Sequence, residues 1–222
     1  MKITKEELAA MCDHTYLKPN ASEAELDKLI QEARSVNCAM VAVNSVQVGY
    51  CKRMLADTDI HVGAAISFPF GQTTIETKVF ETRDAIENGA DEIDYVVNLT
   101  EVREGNWAYI QDEMEEIVEE CHRNHVICKV IFENCYLNDQ QKIQLCKIAK
   151  EVKPDYVKTS TGFGTSGATI DDVKLMKKYV GRKVKVKAAG GIRDLKTALA
   201  MIKAGAQRIG TSATIQILQE LE

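Results

Sequence analysis

Eight short apolar runs, many of them rich in β-branched residues, recur along the chain and alternate with longer amphipathic stretches. The runs lie at 11–15, 39–43, 61–68, 92–97, 126–132, 155–158, 183–187 and 207–210. Their lengths suit buried strands. The stretches between them predict helices. Ser22 and Glu25 have the spacing of a capping box ahead of "LDKLIQEA", Thr169 opens "TIDDVKLMKKY" in a similar way, and "NWAYIQDEMEEIVEEC" repeats apolar residues at helical spacing. Strands that alternate with helices run parallel through right-handed crossovers, and eight such units can close into a (β/α)8 TIM barrel. A doubly wound open sheet is the second solution, but the first strand-to-helix turn, "DHTYLKPNAS", carries no G-x-G-x-x-G. No linker, low-complexity tract or shift of composition divides the 222 residues, so a single domain spanning 1–222 is expected.

Charge and cysteine usage narrow the function. A net charge of −5 disfavours a polyanionic partner, so nucleic acid is not expected, although a local basic site could still take a small anion. No run of about 18 apolar residues is present and the start has no signal-peptide core, so no membrane association is expected. The seven cysteines are odd in number and scattered without C-x-x-C, which points to a reducing compartment and a cytoplasmic location. The four histidines show no metal-ligand spacing, so neither a metal nor a cofactor is expected.

In a (β/α)8 barrel the reacting groups sit where strands end and the following loops begin. The residues at those positions are Asp13, Thr15, Asn44, Phe68, Asp94 to Asn98, Glu133, Asn134, Lys158, Lys187 and the turn Gly210-Thr211-Ser212. Lys158 closes "DYVK" ahead of "TSTGFG", and Lys187 precedes "AAGG". If the sixth and seventh strands are neighbours, the two amines converge. Partial loss of hydration and a second ammonium nearby would then lower the pKa of one, leaving a nucleophile for carbonyls. Taken singly, each reads as a solvated lysine, the usual fate of the residue. In "KVKVK" the alternation puts Lys183, Lys185 and Lys187 on one face, and only the neighbouring glycines favour Lys187.

Asp94 lies inside the apolar run of "GADEIDYVVN", where an unpaired carboxylate would be costly, so it needs a partner. An ammonium across the barrel would serve, as a proton-transfer pair or as a structural ion pair. Asp91 and Glu92 read as solvated or capping charges. Gly190 and Gly191 stand before "IRDLKTALAMI", Gly210 and Ser212 open the last helical stretch, and Gly162 follows Lys158. Backbone amides at the last strand ends of such a barrel favour a phosphate group.

The motifs "DHTYLKP", "FPFG", "GADEIDYVVN", "KVIFENCYL", "VKTSTGF", "VKAAGGIR" and "RIGTSA", in this order from residue 13 to 213, resemble the deoxyribose-phosphate aldolase family. The resemblance implies a metal-free class I lyase that cleaves 2-deoxy-D-ribose 5-phosphate reversibly to acetaldehyde and D-glyceraldehyde 3-phosphate through a lysine Schiff base. By motif, Lys158 would form the imine, Lys187 would lower its pKa and share in proton transfer, and Asp94 would exchange the proton. Gly162, Gly190, Gly191, Gly210 and Ser212 would hold the phosphate, and Asp13, Thr15 and Thr161 the sugar hydroxyls. The implied partners are the sugar phosphate and aldehydes, with a homodimer as the implied assembly. Departures are "VAVNSVQV" where Cys and Pro are common, Asn134 where Thr is common, and an end at "LQELE" without a terminal tyrosine, so no contribution from such a side chain is expected. The alternative is a barrel that binds a sugar phosphate without catalysis.

Overall fold

Each of the eight apolar runs forms a parallel strand in the computed structural model, which describes residues 3–221. The strands are β1 (Cys12–Thr15), β2 (Met40–Asn44), β3 (His61–Ile66), β4 (Glu92–Val96), β5 (Ile127–Ile131), β6 (Tyr156–Lys158), β7 (Lys185–Ala189) and β8 (Arg208–Thr211). They pair in chain order and β8 closes on β1, with His14 opposite Thr211 at the seam. The open-sheet alternative is thereby excluded.

Among the described residues ten α-helices accompany the strands: α1 (Lys5–Ala9), α2 (Glu23–Val36), α3 (Val48–Met54), α4 (Ile75–Glu87), α5 (Leu99–Glu104), α6 (Trp107–Arg123), α7 (Asp139–Val152), α8 (Ile170–Tyr179), α9 (Leu195–Ala204) and α10 (Thr214–Gln219). The predicted caps form. Ser22 and Glu25 exchange bonds at the start of α2, and Thr169 Oγ1 accepts from Asp172 N at 3.1 Å at the start of α8. None of these helices is long and apolar enough to cross a membrane.

Strand alternation divides the buried residues into two populations. Val41, Val62, Ile93, Tyr95, Val130, Val157, Val186 and Ile209 face the helices and join the continuous apolar core. Burying each such aliphatic side chain stabilises the fold by roughly 1.5–3 kcal/mol. The alternate positions face the barrel axis. There β2 and β3 contribute Ala42, Gly63 and Ala65, whereas the other strands contribute Asp13, Glu92, Asp94, Lys129, Lys158, Lys187 and Arg208, all buried. The interior is therefore apolar outside the sheet and ionic along its axis.

The strand bounds shift by one or two residues from the apolar runs, and two readings change. β7 extends through Ala188 and Ala189, small residues that continue the ladder with Ile209 and Gly210, so Lys187 is mid-strand instead of terminal. Lys183 precedes the strand, and Lys185, on the same face as Lys187, is exposed. Glu92 is not a solvated charge. It has the parity of Asp94, points inward one layer below it, and is fully buried.

Candidate active site

The ionic axis is built from register pairs. Asp94 lies opposite Lys129 across β4 and β5, and Lys158 lies opposite Lys187 across β6 and β7. Lys129 Nζ contacts Asp94 Oδ1 at 2.6 Å, while Lys158 Nζ and Lys187 Nζ reach Oδ2 at 2.7 and 2.6 Å. Below this layer Lys129 Nζ also pairs with Glu92 Oε2 at 2.5 Å, and Arg208 bridges Asp13 at 2.6 Å and Glu92 at 3.2 Å. Lys187 Nζ completes the circuit with Asp13 Oδ2 at 2.5 Å.

Along this axis the cations Lys129, Lys158, Lys187 and Arg208 outnumber the carboxylates Asp13, Glu92 and Asp94. One of the cations is thus poorly compensated. Burial, with further repulsion from Lys187 and Lys129, lowers the Lys158 pKa to about 8 even though Asp94 opposes the shift. Burial also works against ionisation of Asp94, but the three surrounding ammonium groups together outweigh it and hold that carboxyl well below its usual range. For Lys129 the carboxylates prevail over burial and its pKa is raised. Lys158 is also the amine that reaches the open end of the barrel.

Above Lys158 lies a cavity of about 290 Å3, lined by Lys158 and by the loops that follow β1, β6, β7 and β8. The structure brings Thr15, Thr161, Gly162, Gly190, Gly191, Gly210 and Ser212 together on its wall. Asp13 is different. It is fully buried, stands outside the cavity wall, and is engaged by Arg208 and Lys187. The Thr161 hydroxyl is committed to Glu133 Oε2 and accepts from Phe163 N at 3.0 Å. Glu133 is itself buried, which raises its pKa.

The glycine turns also differ in detail. Gly190 and Gly191 have φ of 88° and 76°, a left-handed conformation that turns the chain after β7. The following α9 starts only at Leu195 and is capped by Asp194, whose carboxylate accepts from Thr197 N at 2.7 Å. Its N-terminus is thus filled by its own anion, and the turn residues Gly190 and Gly191 line the cavity instead. Gly210 serves space instead of conformation, because a Cβ there would stand 3.1 Å from Lys187 Cε.

Lys129, Arg208, Arg193 and Lys18 were not singled out from the sequence. Lys129 interrupts the apolar run "VICKVIF" just as Asp94 interrupts its own, and that shared anomaly was the available signal. Lys18 and Arg193 line the cavity from the loops after β1 and β7, and Lys18 Nζ rests 5.4 Å from the centre of the Tyr16 ring. Phe68 faces the amine, its ring centre 5.5 Å from Lys158 Nζ, and packs edge-on against Phe163.

Comparison with known proteins adds an independent line. A family model described as DeoC/LacD family aldolase matches residues 8–220. The deoxyribose-phosphate aldolase of Lactobacillus acidophilus is 57% identical over 222 residues, covering 100% of this chain and 94% of its own. That of Bacteroides thetaiotaomicron is 52% identical, covering 98% and 91%. Among solved structures, deoxyribose phosphate aldolase from Aeropyrum pernix superimposes with a TM-score of 0.91 at 29% identity, covering 98% of this chain and 92% of that one.

Proposed function

Since the chain belongs to the DeoC/LacD family of aldolases, we propose that Lys158, Asp94 and Lys187 are the residues through which it carries out a class I aldol cleavage. The substrate is 2-deoxy-D-ribose 5-phosphate and the products are acetaldehyde and D-glyceraldehyde 3-phosphate, formed reversibly. The observation that carries the assignment of residues is the buried Lys158 amine, its pKa lowered to about 8, held 2.7 Å from Asp94 at the floor of the cavity.

Neutral Lys158 Nζ adds to C1 of the open-chain sugar phosphate, and loss of water leaves a protonated imine. Asp94, through a water and Lys187, takes the proton of the C3 hydroxyl. The C2–C3 bonding pair flows into the imine, giving an enamine and releasing glyceraldehyde 3-phosphate. Protonation of the enamine at C2 and addition of water then free acetaldehyde and restore the amine. The phosphate lies against the turns at Gly162, Gly190, Gly191, Gly210 and Ser212, with Arg193 and Lys18 as cations at the same cavity, and fixes the chain over Lys158. Thr15, and Thr161 as positioned by Glu133, face the sugar. All seven cysteines are unpaired, which supports a cytoplasmic location, and a homodimer is the proposed assembly.

Acetaldehyde release from 2-deoxyribose 5-phosphate, compared between wild type and Lys158→Arg, tests this reading. An arginine cannot form the imine, so the variant should lose more than about 10³-fold in kcat. Retention of most activity by the arginine variant would exclude the mechanism, and absence of release by the wild type would leave a sugar-phosphate binding barrel.

A further inference from the structure

Behind β1 runs a hydrogen-bond chain that the imine chemistry does not use. His14 follows Asp13 on β1 but points the other way, into the helix layer, where it is buried. Its Nε2 donates to Glu32 Oε2 on α2 at 2.9 Å, and its Nδ1 accepts from the hydroxyl of Thr214, the first residue of α10, at 3.0 Å. The direction follows from elementary chemistry. A carboxylate only accepts, so Nε2 bears the proton. Burial lowers the pKa of His14 against the opposing pull of Glu32, and the neutral ring then offers Nδ1 as a lone pair.

From Thr214 the connection to the cavity runs through the peptide bond to Ala213. Ala213, whose side chain can cap nothing, donates its N–H to Thr211 Oγ1 at 2.9 Å, and the Thr211 hydroxyl donates to the carbonyl of Ile192 at 2.6 Å. The turn after β8 and the turn after β7 are thus one bonded unit. His14, which faces Thr211 across the β1–β8 ladder, fastens that unit to β1 and α2.

We propose that His14, held by Glu32 and acting through Thr214, is a positioning residue for the substrate's phosphate, setting the turn at Gly210 to Ser212 without touching the ligand. The inference rests on the phosphate assignment made above. It predicts an effect confined to phosphorylated ligands, which a merely structural role would not produce.

Thr214→Val keeps the shape of the side chain and removes the hydroxyl. Its KM for 2-deoxyribose 5-phosphate should rise roughly three- to tenfold with kcat little changed, while kcat/KM for unphosphorylated 2-deoxyribose stays within about twofold. Thr214→Ser, which retains the hydroxyl, should restore KM. An unchanged KM, or an equal loss on both substrates, overturns the proposal. If the wild type releases no acetaldehyde, the aldolase reading fails separately, and calorimetric titration with inorganic phosphate decides this one. Weaker binding by Thr214→Val than by wild type sustains it, whereas equal binding, or none in either, overturns it. Nitrogen NMR of the wild type needs no variant and must find His14 neutral with its proton on Nε2; a proton on Nδ1 overturns the proposal.

Discussion

Lys158 and Lys187 are register partners on adjacent strands, and their ammonium nitrogens meet on a single oxygen, Oδ2 of Asp94, at 2.7 and 2.6 Å. The arrangement couples the nucleophile's protonation to its neighbour's charge. Repulsion from Lys187 is one of the forces that lower the Lys158 pKa to about 8.

The reactive form of Lys158 is the neutral amine, so kcat/KM, which reports the free enzyme, should rise with pH up to a plateau above about 8. Lys187→Met removes a neighbouring cation that favours deprotonation. The Lys158 pKa then rises, and the residual activity of the variant should need a higher pH. A pH profile that stays in place in Lys187→Met would show that the two amines are not coupled.

Asp94→Asn should lower kcat by about 10²-fold or more, the usual weight of a lost proton-transfer group. It also leaves buried ammonium groups uncompensated, at about 3–5 kcal/mol of stability, read from the urea midpoint. The sign of the pH dependence is fixed by the depressed folded-state pKa of Asp94. Its contribution is fully present above the unfolded value near about 3.9 and is lost as pH falls below it. The variant should therefore lie closest to wild type in strong acid.

Lys129→Met removes the cation from Glu92 Oε2 and Asp94 Oδ1, both inside the barrel. The two carboxyls then bind protons more readily than in the wild type, because one of the cations that opposes their protonation is gone. Stability should fall by about 3–5 kcal/mol at neutral pH, and the loss should narrow as the pH falls and the variant's carboxyls take up protons. A pH-independent loss would mean that Lys129 acts by packing alone.

Gly210→Ala introduces a Cβ about where Ala189 Cβ stands 2.9 Å away and Lys187 Cε 3.1 Å away. Overpacking costs about 1–3 kcal/mol, and the 2.9 Å approach to Ala189 is relieved by a shift of β7 that carries Lys187 with it. Displacement of Lys187 from Asp94 should lower kcat roughly tenfold or more, measured beside the thermal midpoint to separate it from unfolding.

Much of this site can be read from the sequence because barrel geometry turns alternation into orientation. Asp94 in an apolar run demanded a cation, and Lys158 ends its strand as the short run "DYVK" implies. Lys129 breaks the same rule as Asp94, yet a lone lysine in a strand is ambiguous until its register partner is known. Glu92 was misassigned because charge at a strand's start usually faces water, whereas its parity with Asp94 turns it inward. Arg208 pairs with Asp13 across 195 residues, a separation no local pattern reveals. The division of labour among the glycines was equally hidden. Gly191 is set by its φ and Gly210 by the approach of Lys187, and neither cause leaves a trace in the residue type.

The most direct test of Lys158 as the imine-forming residue is mass mapping of the protein after borohydride reduction in the presence of 2-deoxyribose 5-phosphate or acetaldehyde. One stoichiometric adduct on Lys158, absent from Lys158→Ala, is the expected result. No adduct, or labelling scattered over surface lysines and equal in both proteins, would contradict the imine mechanism.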